Sequence, residues 1–428
     1  MKAAIEDSES QSMVNKADTK VPQDHARTEL AQPHKPAITG RAGKLYRNVA
    51  LMVFNTLIFV VLVNLAVVGM YGAKDWFGRL FSENEAPLKY QEFHPFLLSV
   101  YPGFSQEQID RLISDTRRVP QVYDPFTQFK EPAYESKYVN VSPVGYRVSK
   151  NQGPWPTSRD DFKVFIFGGS TTFGYGVADD QTIPSYLQEY LSKHVDADVR
   201  VYNFGRCAYF SVQEGILLRK LLLDGHVPNL VVFLDGLNDF IHVNGEPGYT
   251  PDLRQFMTQR DVPLGRRIAY ELPVTRFVLA TFPGLDKNPE PVVKTKRPVA
   301  RSTGTDLLDQ VVHRYARNKH IVESLCLGFN VSPVFVWQPV PLYGYDQTHH
   351  IFANFNYDEF SPHVQAGYTH MAGLVKSRDF GRNFIWLGDM QENIKEPAYV
   401  DAYHYDAKMC KLIAQIIGKN IVERRLLY

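Results

Sequence analysis

The sequence predicts an α/β fold, a three-layer α/β/α sandwich on a parallel sheet of about five strands, preceded by one transmembrane helix. Two observations predict it. From residue 163 onward, short apolar runs bounded by Gly or Pro alternate with stretches of helical periodicity, which is typical of parallel strands buried on both faces. Upstream of that region lies one apolar stretch that is long enough to cross a bilayer.

Composition indicates a globular chain with a sizeable core and no nucleic-acid partner. The 428 residues are 44% hydrophobic, and 47 basic against 46 acidic residues leave a net charge of +1. Nucleic-acid binding would need a basic stripe. The three cysteines, Cys207, Cys326 and Cys410, have no zinc-binding spacing. We expect them to be buried as small apolar residues, with a disulfide left open for a domain outside the cytoplasm.

The N-terminal region divides into a polar tail and an apolar helix. Residues 1–45 are polar and aperiodic, so they are predicted to be disordered. Residues 49–71 carry no charge and would span roughly 34 Å as a helix, so we predict a transmembrane helix at 46–72. A cleaved signal peptide is the alternative, but the apolar run and the extension before it are too long for one.

Charges that flank the apolar stretch favour an orientation. Four basic residues closely precede it: Lys35, Arg41, Lys44 and Arg47. The positive-inside rule therefore predicts that the N-terminus is inside and that the following domain is periplasmic or extracellular. Residues 73–160 are predicted to be a lead-in segment that packs on this domain, with a helix at 106–116 and a turn at Gly145.

Strand and helix patterns alternate from residue 161 to 428. The predicted strands are 163–168, 200–205, 230–236, 333–339 and 383–389. The predicted helices are 182–194, 212–224, 307–327, 363–377 and one that begins after His404. Residues 240–301 are rich in Pro, Arg and Gly and do not follow this alternation, so we interpret them as an insertion over the binding edge of the sheet.

Small and polar residues follow three of the predicted strands. Ser170 comes directly after the first strand and two glycines, which permit a tight turn at the edge where α/β proteins bind ligands. A Gly-rich turn with a helix-capping serine is the alternative, whereas a phosphate loop would need a following GK[ST]. Gly205 ends the second strand and Asn238 follows the third, although an Asn there is often only a turn former.

Asp401 and His404 precede the last amphipathic helix. A serine nucleophile needs a base, and a histidine held by a carboxylate meets that need. The alternative is that Asp401 only caps the helix.

The order Ser…Gly…Asn…Asp-x-x-His resembles the SGNH, or GDSL-like, hydrolase superfamily over about residues 162–422. The resemblance implies a flavodoxin-like SGNH domain at 161–428 that needs no metal or other cofactor. It also implies that Ser170, His404 and Asp401 are catalytic, and that the Ser170 and Gly205 amides and the Asn238 side chain form an oxyanion hole. Two features depart from the pattern: Gly169 replaces the usual aspartate, and no glycine follows the histidine closely. The segment containing VGYR also looks like bacterial members.

The expected function is a membrane-anchored serine esterase that removes or transfers acyl groups, with an acylated small molecule or a cell-envelope glycan as substrate. A polysaccharide O-acyltransferase with the same triad is one alternative, and a non-catalytic, membrane-tethered binding protein on the same fold is another. Five residues after the fourth strand are candidates for a carbohydrate site: Tyr343, Tyr345, His349, His350 and Phe352. The alternative for them is a loop packed by its own aromatic rings.

Overall fold

The computed structural model describes residues 40–82, 94–117, 120–158, 160–258, 272–282 and 304–427. Most of the predicted tail and parts of the predicted insertion therefore lie outside the described residues. The chain forms two compact units, one that ends at Ala66 and one that begins at Val67.

The apolar stretch forms a long helix, α1, from Arg41 to Ser82. It extends beyond the predicted bounds 46–72 at both ends. Within it, Arg41–Gly69 is long and apolar enough to cross a membrane, and only 6% of its most apolar window is buried. A helix in the core of a soluble protein would be mostly buried, so this exposure distinguishes α1 from such a helix.

The region from residue 162 onward forms a five-stranded parallel sheet in the order β4-β3-β5-β6-β7. A two-stranded antiparallel hairpin precedes it, β1 (Val122–Asp124) and β2 (Gln128–Lys130). The strands of the main sheet are β3 (Phe162–Gly168), β4 (Val199–Asn203), β5 (Leu230–Asp235), β6 (Ser332–Trp337) and β7 (Phe384–Trp386). This is the doubly wound, flavodoxin-like strand order, so the predicted fold class is confirmed.

Helices cover both faces of the sheet. After α1 the described helices are α2 (His94–Val100), α3 (Gln106–Arg117), α4 (Ser170–Phe173), α5 (Ile183–His194), α6 (Ser211–Leu223), α7 (Leu237–Ile241), α8 (Thr250–Thr258), α9 (Pro273–Thr281), α10 (Gly304–Gly328), α11 (Tyr357–Phe360), α12 (Val364–Ser377) and α13 (Ala407–Glu423). Side chains of α5 and α13 form one apolar cluster with the sheet. Those of α6, α10 and α12 form a second cluster on the opposite face.

Successive side chains of a strand point to opposite sides, so each strand contributes apolar residues to both faces of the sheet. In β3, Val164 and Ile166 enter one cluster while Phe165 and Phe167 enter the other. The rings of Phe167 and Phe233 stack at 5.0 Å between centroids. All three cysteines are free thiols, and Cys326 and Cys410 are buried in opposite clusters.

The lead-in segment packs against the turns at the edge of the sheet. Residues of α2, α3 and the stretch around residue 140 form a third apolar cluster with Phe173 and Val400. These two residues lie next to the turns that carry the predicted nucleophile and the predicted Asp-x-x-His pair. At the predicted turn, Gly145 has φ +100°, a conformation that favours glycine.

Arg147, the last residue of the VGYR motif, holds the loop that follows the predicted nucleophile. Its side chain is fully buried and donates to Asp179 Oδ1 at 2.9 Å. It also donates to the carbonyl oxygens of Phe173, Gly174 and Val177, at 2.8, 2.5 and 2.7 Å. Burial lowers the pKa of Arg147 and raises that of Asp179, so desolvation opposes this ion pair and the carbonyl hydrogen bonds offset that cost.

We expect Arg147→Leu to lower the free energy of unfolding by about 3–5 kcal/mol, because it removes the cation from the Asp179 carboxylate and one donor from each of three buried carbonyls. Urea unfolding followed by circular dichroism measures the change. Arg200→Leu is the matched control, because the Arg200–Asp161 pair is longer, at 3.4 Å, and partly exposed. That control is expected to cost about 1 kcal/mol or less. An equal loss in both variants would contradict the clamping role.

Candidate active site

The nucleophile position is the first residue of α4, immediately after β3. Ser170 is 9% exposed, and Gly169 precedes it. A Cβ at position 169 would lie 2.2 Å from Asn238 Nδ2, a distance that no side chain tolerates. Gly169 therefore leaves room for the Asn238 amide beside the predicted nucleophile.

Ser170, His404 and Asp401 form a continuous hydrogen-bonded row. His404 Nε2 lies 2.8 Å from Ser170 Oγ, although the two residues are 234 positions apart. His404 Nδ1 lies 2.8 and 2.7 Å from the two Asp401 oxygens. Because a carboxylate only accepts, Nδ1–H is the donor to Asp401, and Nε2 is left to accept the serine proton. This is the arrangement that activates a serine hydroxyl.

The Asp401 carboxylate is held as an anion by its surroundings. Its Oδ1 accepts the backbone N–H groups of Tyr403 and His404, at 2.9 and 2.8 Å. Arg117, at the end of α3, donates to Oδ2 at 2.8 Å. Burial alone would raise the pKa of Asp401, but His404, Arg117 and these hydrogen bonds hold it well below its usual range.

Asp401 does not cap the last helix. Helix α13 begins at Ala407, and its N-cap is Asp406, whose side chain accepts from Met409 N at 2.7 Å. Asp401 instead belongs to the preceding turn, in which Val400 N donates to His404 O at 2.8 Å. The capping and the imidazole-orienting roles are thus separated between two aspartates.

Other titratable groups around Asp401 are neutral near pH 7. Burial lowers the pKa of His350 to about 4, while it raises the pKa of Tyr357 and of Tyr403. On the other side of the imidazole, the Tyr175 ring stacks on His404 at 5.2 Å between centroids. Arg117 and Tyr175 were not predicted as site residues from the sequence. Arg117 lies far from Asp401 in the chain, and Tyr175, although it follows Ser170 in the same Gly-rich stretch, carries no signal of its own.

Asn238 reaches the nucleophile from the end of β5. Its Nδ2 donates one proton to Tyr209 O at 2.6 Å, which fixes the amide and leaves a second N–H. Asn238 is 8% exposed. A buried amide in this position can donate to an oxygen that carries developing negative charge.

Gly205 has a different environment from the one predicted for it. Its N–H donates to Asn203 Oδ1 at 2.9 Å, so the proton assigned to an oxyanion is engaged within the chain. A Cβ at Gly205 would lie 2.4 Å from Phe173 N. The observed contacts thus explain the glycine by close packing of this loop against α4.

Ala208 offers a backbone donor in the same loop. Its φ is +58°, and no hydrogen-bond partner for its N–H occurs among the described residues. The adjacent Tyr209 carbonyl accepts from Asn238, and it would lie 3.2 Å from a Cβ on Gly169, so the loop adjoins the nucleophile turn. A residue with this left-handed backbone conformation is usually glycine. Because an alanine stands here, the sequence gives no sign of the turn.

The aromatic loop after β6 is packed by its own rings. Tyr345, His350 and Phe352 are buried, and the Tyr345 ring lies 5.1 Å from that of Tyr399. The packing alternative therefore describes these three residues better than the carbohydrate-site hypothesis. More exposed rings occur further along, at Phe355 and Phe360.

These exposed rings lie beside the turn of the triad. Phe355 is 36% exposed and Phe360 is 58% exposed. The Phe355 ring centroid lies 5.6 Å from that of Tyr403, which sits between Asp401 and His404 in the chain. Ser361 Oγ and Tyr403 Oη are 2.7 Å apart and fix the tyrosine.

Three carboxyl side chains are buried behind the strand end that carries Asn238. Glu214, Asp235 and Asp239 are each at most 3% exposed. Asp239 accepts from Ser211 Oγ at 2.6 Å. Both oxygens of Glu214 and Oδ1 of Asp235, by contrast, have no donor among the described residues.

A proton shared by Glu214 and Asp235 resolves this arrangement. Burial and the nearby Asp235 raise the pKa of Glu214 well above its usual value, and burial and Asp239 do the same for Asp235. A protonated carboxyl then donates to its neighbour. The folded chain consequently holds protons that the unfolded chain releases at neutral pH.

Stability is therefore expected to fall as pH rises from the unfolded carboxyl pKa towards the raised folded one, by up to about 1.4 kcal/mol per pH unit for each proton. We expect Glu214→Gln to weaken this decline, because the amide cannot ionise. Thermal unfolding at pH 5 and pH 8 measures it. Glu189→Gln, at an exposed site on α5, is the control and should follow the wild type. A Glu214→Gln variant with an unchanged decline would rule out the shared proton.

Similarity to known proteins is found among solved structures, at low sequence identity. No protein-family model matches the sequence, and no curated protein matches it. Among solved structures, the chain is similar to a protein from Desulfitobacterium hafniense described as lipolytic and of the G-D-S-L family. That match has 13% identity and a TM-score of 0.31, and it covers 62% of this chain and 99% of the other.

Two esterases of known structure are similar at the same level. The acetyl xylan esterase AlAXEase shares 14% identity with a TM-score of 0.33, over 60% of this chain and 99% of its own. The psychrotrophic esterase EstA from Pseudoalteromonas sp. shares 12% with a TM-score of 0.31, over 62% and 99%. The fold itself rests on the strand order, and the chemistry rests on the geometry of this site.

Proposed function

We propose that the chain is a membrane-anchored serine esterase in which Ser170, His404 and Asp401 cleave an acyl ester through an acyl-serine. One observation carries the proposal: the 2.8 Å contact between Ser170 Oγ and a His404 ring whose other nitrogen is held by Asp401. A non-catalytic binding protein on the same fold would have no need of this row or of a cation paired with its carboxylate. The geometry therefore favours an enzyme.

In the proposed reaction, Ser170 Oγ attacks the acyl carbonyl while His404 Nε2 takes its proton. The imidazolium then returns that proton to the leaving alkoxide, which yields an alcohol and an acyl-serine. A water molecule attacks the acyl-serine and gives a proton to His404. The acid departs as Ser170 regains its proton. Asp401 holds the ring in one tautomer throughout and stabilises the imidazolium.

We assign the oxyanion donors to the N–H groups of Ser170 and Ala208 and to the free N–H of Asn238. Ala208 takes the place predicted for Gly205, because the Gly205 proton is already donated to Asn203. Donors of this kind, fixed before the reaction begins, lower the free energy of the tetrahedral intermediate without reorganisation.

We propose an acylated glycan of the cell envelope as the substrate. Exposed aromatic rings beside the triad, Phe355 and Phe360, offer flat apolar surfaces of the kind that recognise ligand faces in clefts. An anchor formed by Arg41–Gly69, with basic residues in its first two turns, would keep the domain at the outer face of the membrane. The same acyl-serine passes to a sugar hydroxyl in an O-acyltransferase, so product analysis with and without sugar acceptors measures how the acyl group divides between water and sugar.

Ser170→Ala is expected to lower kcat for a generic acetyl ester by at least about 10³-fold, because the nucleophile is lost while the fold is retained. Hydrolysis of the chromogenic ester by the purified full-length chain is the measurement. Ser377→Ala, an exposed serine at the end of α12, is the control and should match the wild type. Fluorophosphonate labelling should disappear only in Ser170→Ala. Undiminished turnover or labelling in that variant would refute the proposal.

Arg117→Gln is expected to lower kcat/KM for the acetyl ester by about twofold to fivefold, because Asp401 loses one of the donors that hold it against His404. The loss is small because the Arg117 side chain is 35% exposed. Arg117→Lys keeps the charge and should restore kcat/KM to near the wild-type value. An unchanged kcat/KM in Arg117→Gln, or no rescue by Arg117→Lys, would contradict this positioning role.

A further inference from the structure

The polar side chains within the apolar part of α1 differ in how they are satisfied. Thr56 Oγ1 donates to Met52 O, and Asn64 Nδ2 donates to Val60 O, each at 2.8 Å. Both groups thus bond to carbonyls of their own helix. The side-chain amide of Asn55 has no hydrogen bond among the described residues, and it is exposed.

Asn55 lies within the uncharged stretch 49–71, about 7.5 Å along the helix from its central residue, 60. A hydrocarbon core about 30 Å thick extends about 15 Å to either side of that centre, so Asn55 would lie inside it, where water is absent. An amide there, with its donors and acceptor unmet, costs several kcal/mol in principle. A partner in the plane of the bilayer removes that cost.

We propose that Asn55 forms the centre of a docking surface for a second copy of this chain, through paired transmembrane helices. A carboxamide carries both a donor and an acceptor, so two copies related by a two-fold axis satisfy each other. The proposal depends on the membrane anchoring proposed above and is independent of the chemistry of the site.

Apolar side chains continue the same face of the helix. Leu51, Ile58, Leu62 and Leu65 lie four before and three, seven and ten after Asn55, which is the a/d spacing of a helix pair. A shallow groove lies on the helix beside the amide, and Leu51, Asn55 and Phe59 are among the residues that line it. Apolar residues occur on every face of α1, so Asn55 is what selects this one.

A second copy fits the face better than a charged partner does. The apolar window of the span includes no more than two charged residues, and the central amide is neutral and self-complementary. A single Asn at an a position is known to fix register and favour a two-stranded pair. The occupant that this chemistry recognises is therefore an identical helix in parallel orientation.

The test uses the full-length chain in phosphatidylcholine vesicles, with donor- and acceptor-labelled copies and a series of protein-to-lipid ratios. Energy transfer at each ratio gives the dimer dissociation constant. We expect the wild type to dimerise and Asn55→Leu to bind about threefold to thirtyfold more weakly, the range measured for interhelical polar contacts. Asn55→Gln keeps an amide and should restore association.

Asn64→Leu is the matched control, since Asn64 already bonds to Val60 within its own helix, and it should dimerise as the wild type does. Thermal unfolding of each variant checks that the Val67–Tyr428 unit is intact. Loss of the wild-type chain from vesicles on alkaline washing would refute the anchor, and the docking surface with it. The docking surface alone is refuted by a wild type that stays monomeric, by equal affinity in Asn55→Leu, or by cross-linking in native membranes only to a different protein.

Discussion

The active-site geometry depends on one hydrogen bond, between Ser170 Oγ and His404 Nε2, across 234 positions of the chain. Parallel strands bring it about, because their carboxyl ends meet at one edge of the sheet. Packing then fixes each partner: Arg147 binds the carbonyls that follow α4, and Asp401 binds both the ring and the backbone of His404. Neither partner can move by a bond length without giving up buried hydrogen bonds, so the row is set before any substrate arrives.

The lead-in segment is part of the site rather than a separate spacer. Arg117 on α3 donates to the triad carboxylate, and Arg147 holds the loop after the nucleophile. Both guanidinium groups lie upstream of residue 161, where the catalytic domain was predicted to begin. The lead-in segment also forms a hydrophobic cluster with Phe173 and Val400, which joins it to both turns that carry the proposed triad. Functionally, the domain therefore begins well before its first sheet strand.

Charge around the site is arranged by burial. The pKa of the Asp401 carboxyl is held low by a histidine, an arginine and two backbone donors, whereas burial and neighbouring carboxylates raise the pKa of Glu214 and of Asp235. Side chains of the same chemistry thus have oppositely shifted pKa values within one domain. In the apolar helix, the side-chain amide of Asn55 has no partner, and we propose that the same amide of a second chain bonds to it.

The sequence by itself predicted the parallel sheet, the helices between its strands and the candidate residues Ser170, His404 and Asp401. Apolar periodicity, strand-ending glycines and the Asp-x-x-His spacing are local signals, and each is seen directly in consecutive residues. Tertiary structure decided which backbone amides after β4 are engaged within the chain. The Gly205 proton is taken by Asn203, and Ala208 adopts a glycine-like φ that its side chain conceals. It also brought Arg117 to Asp401 over 284 positions, because contacts at that separation follow from how layers pack and not from the pattern of neighbouring residues.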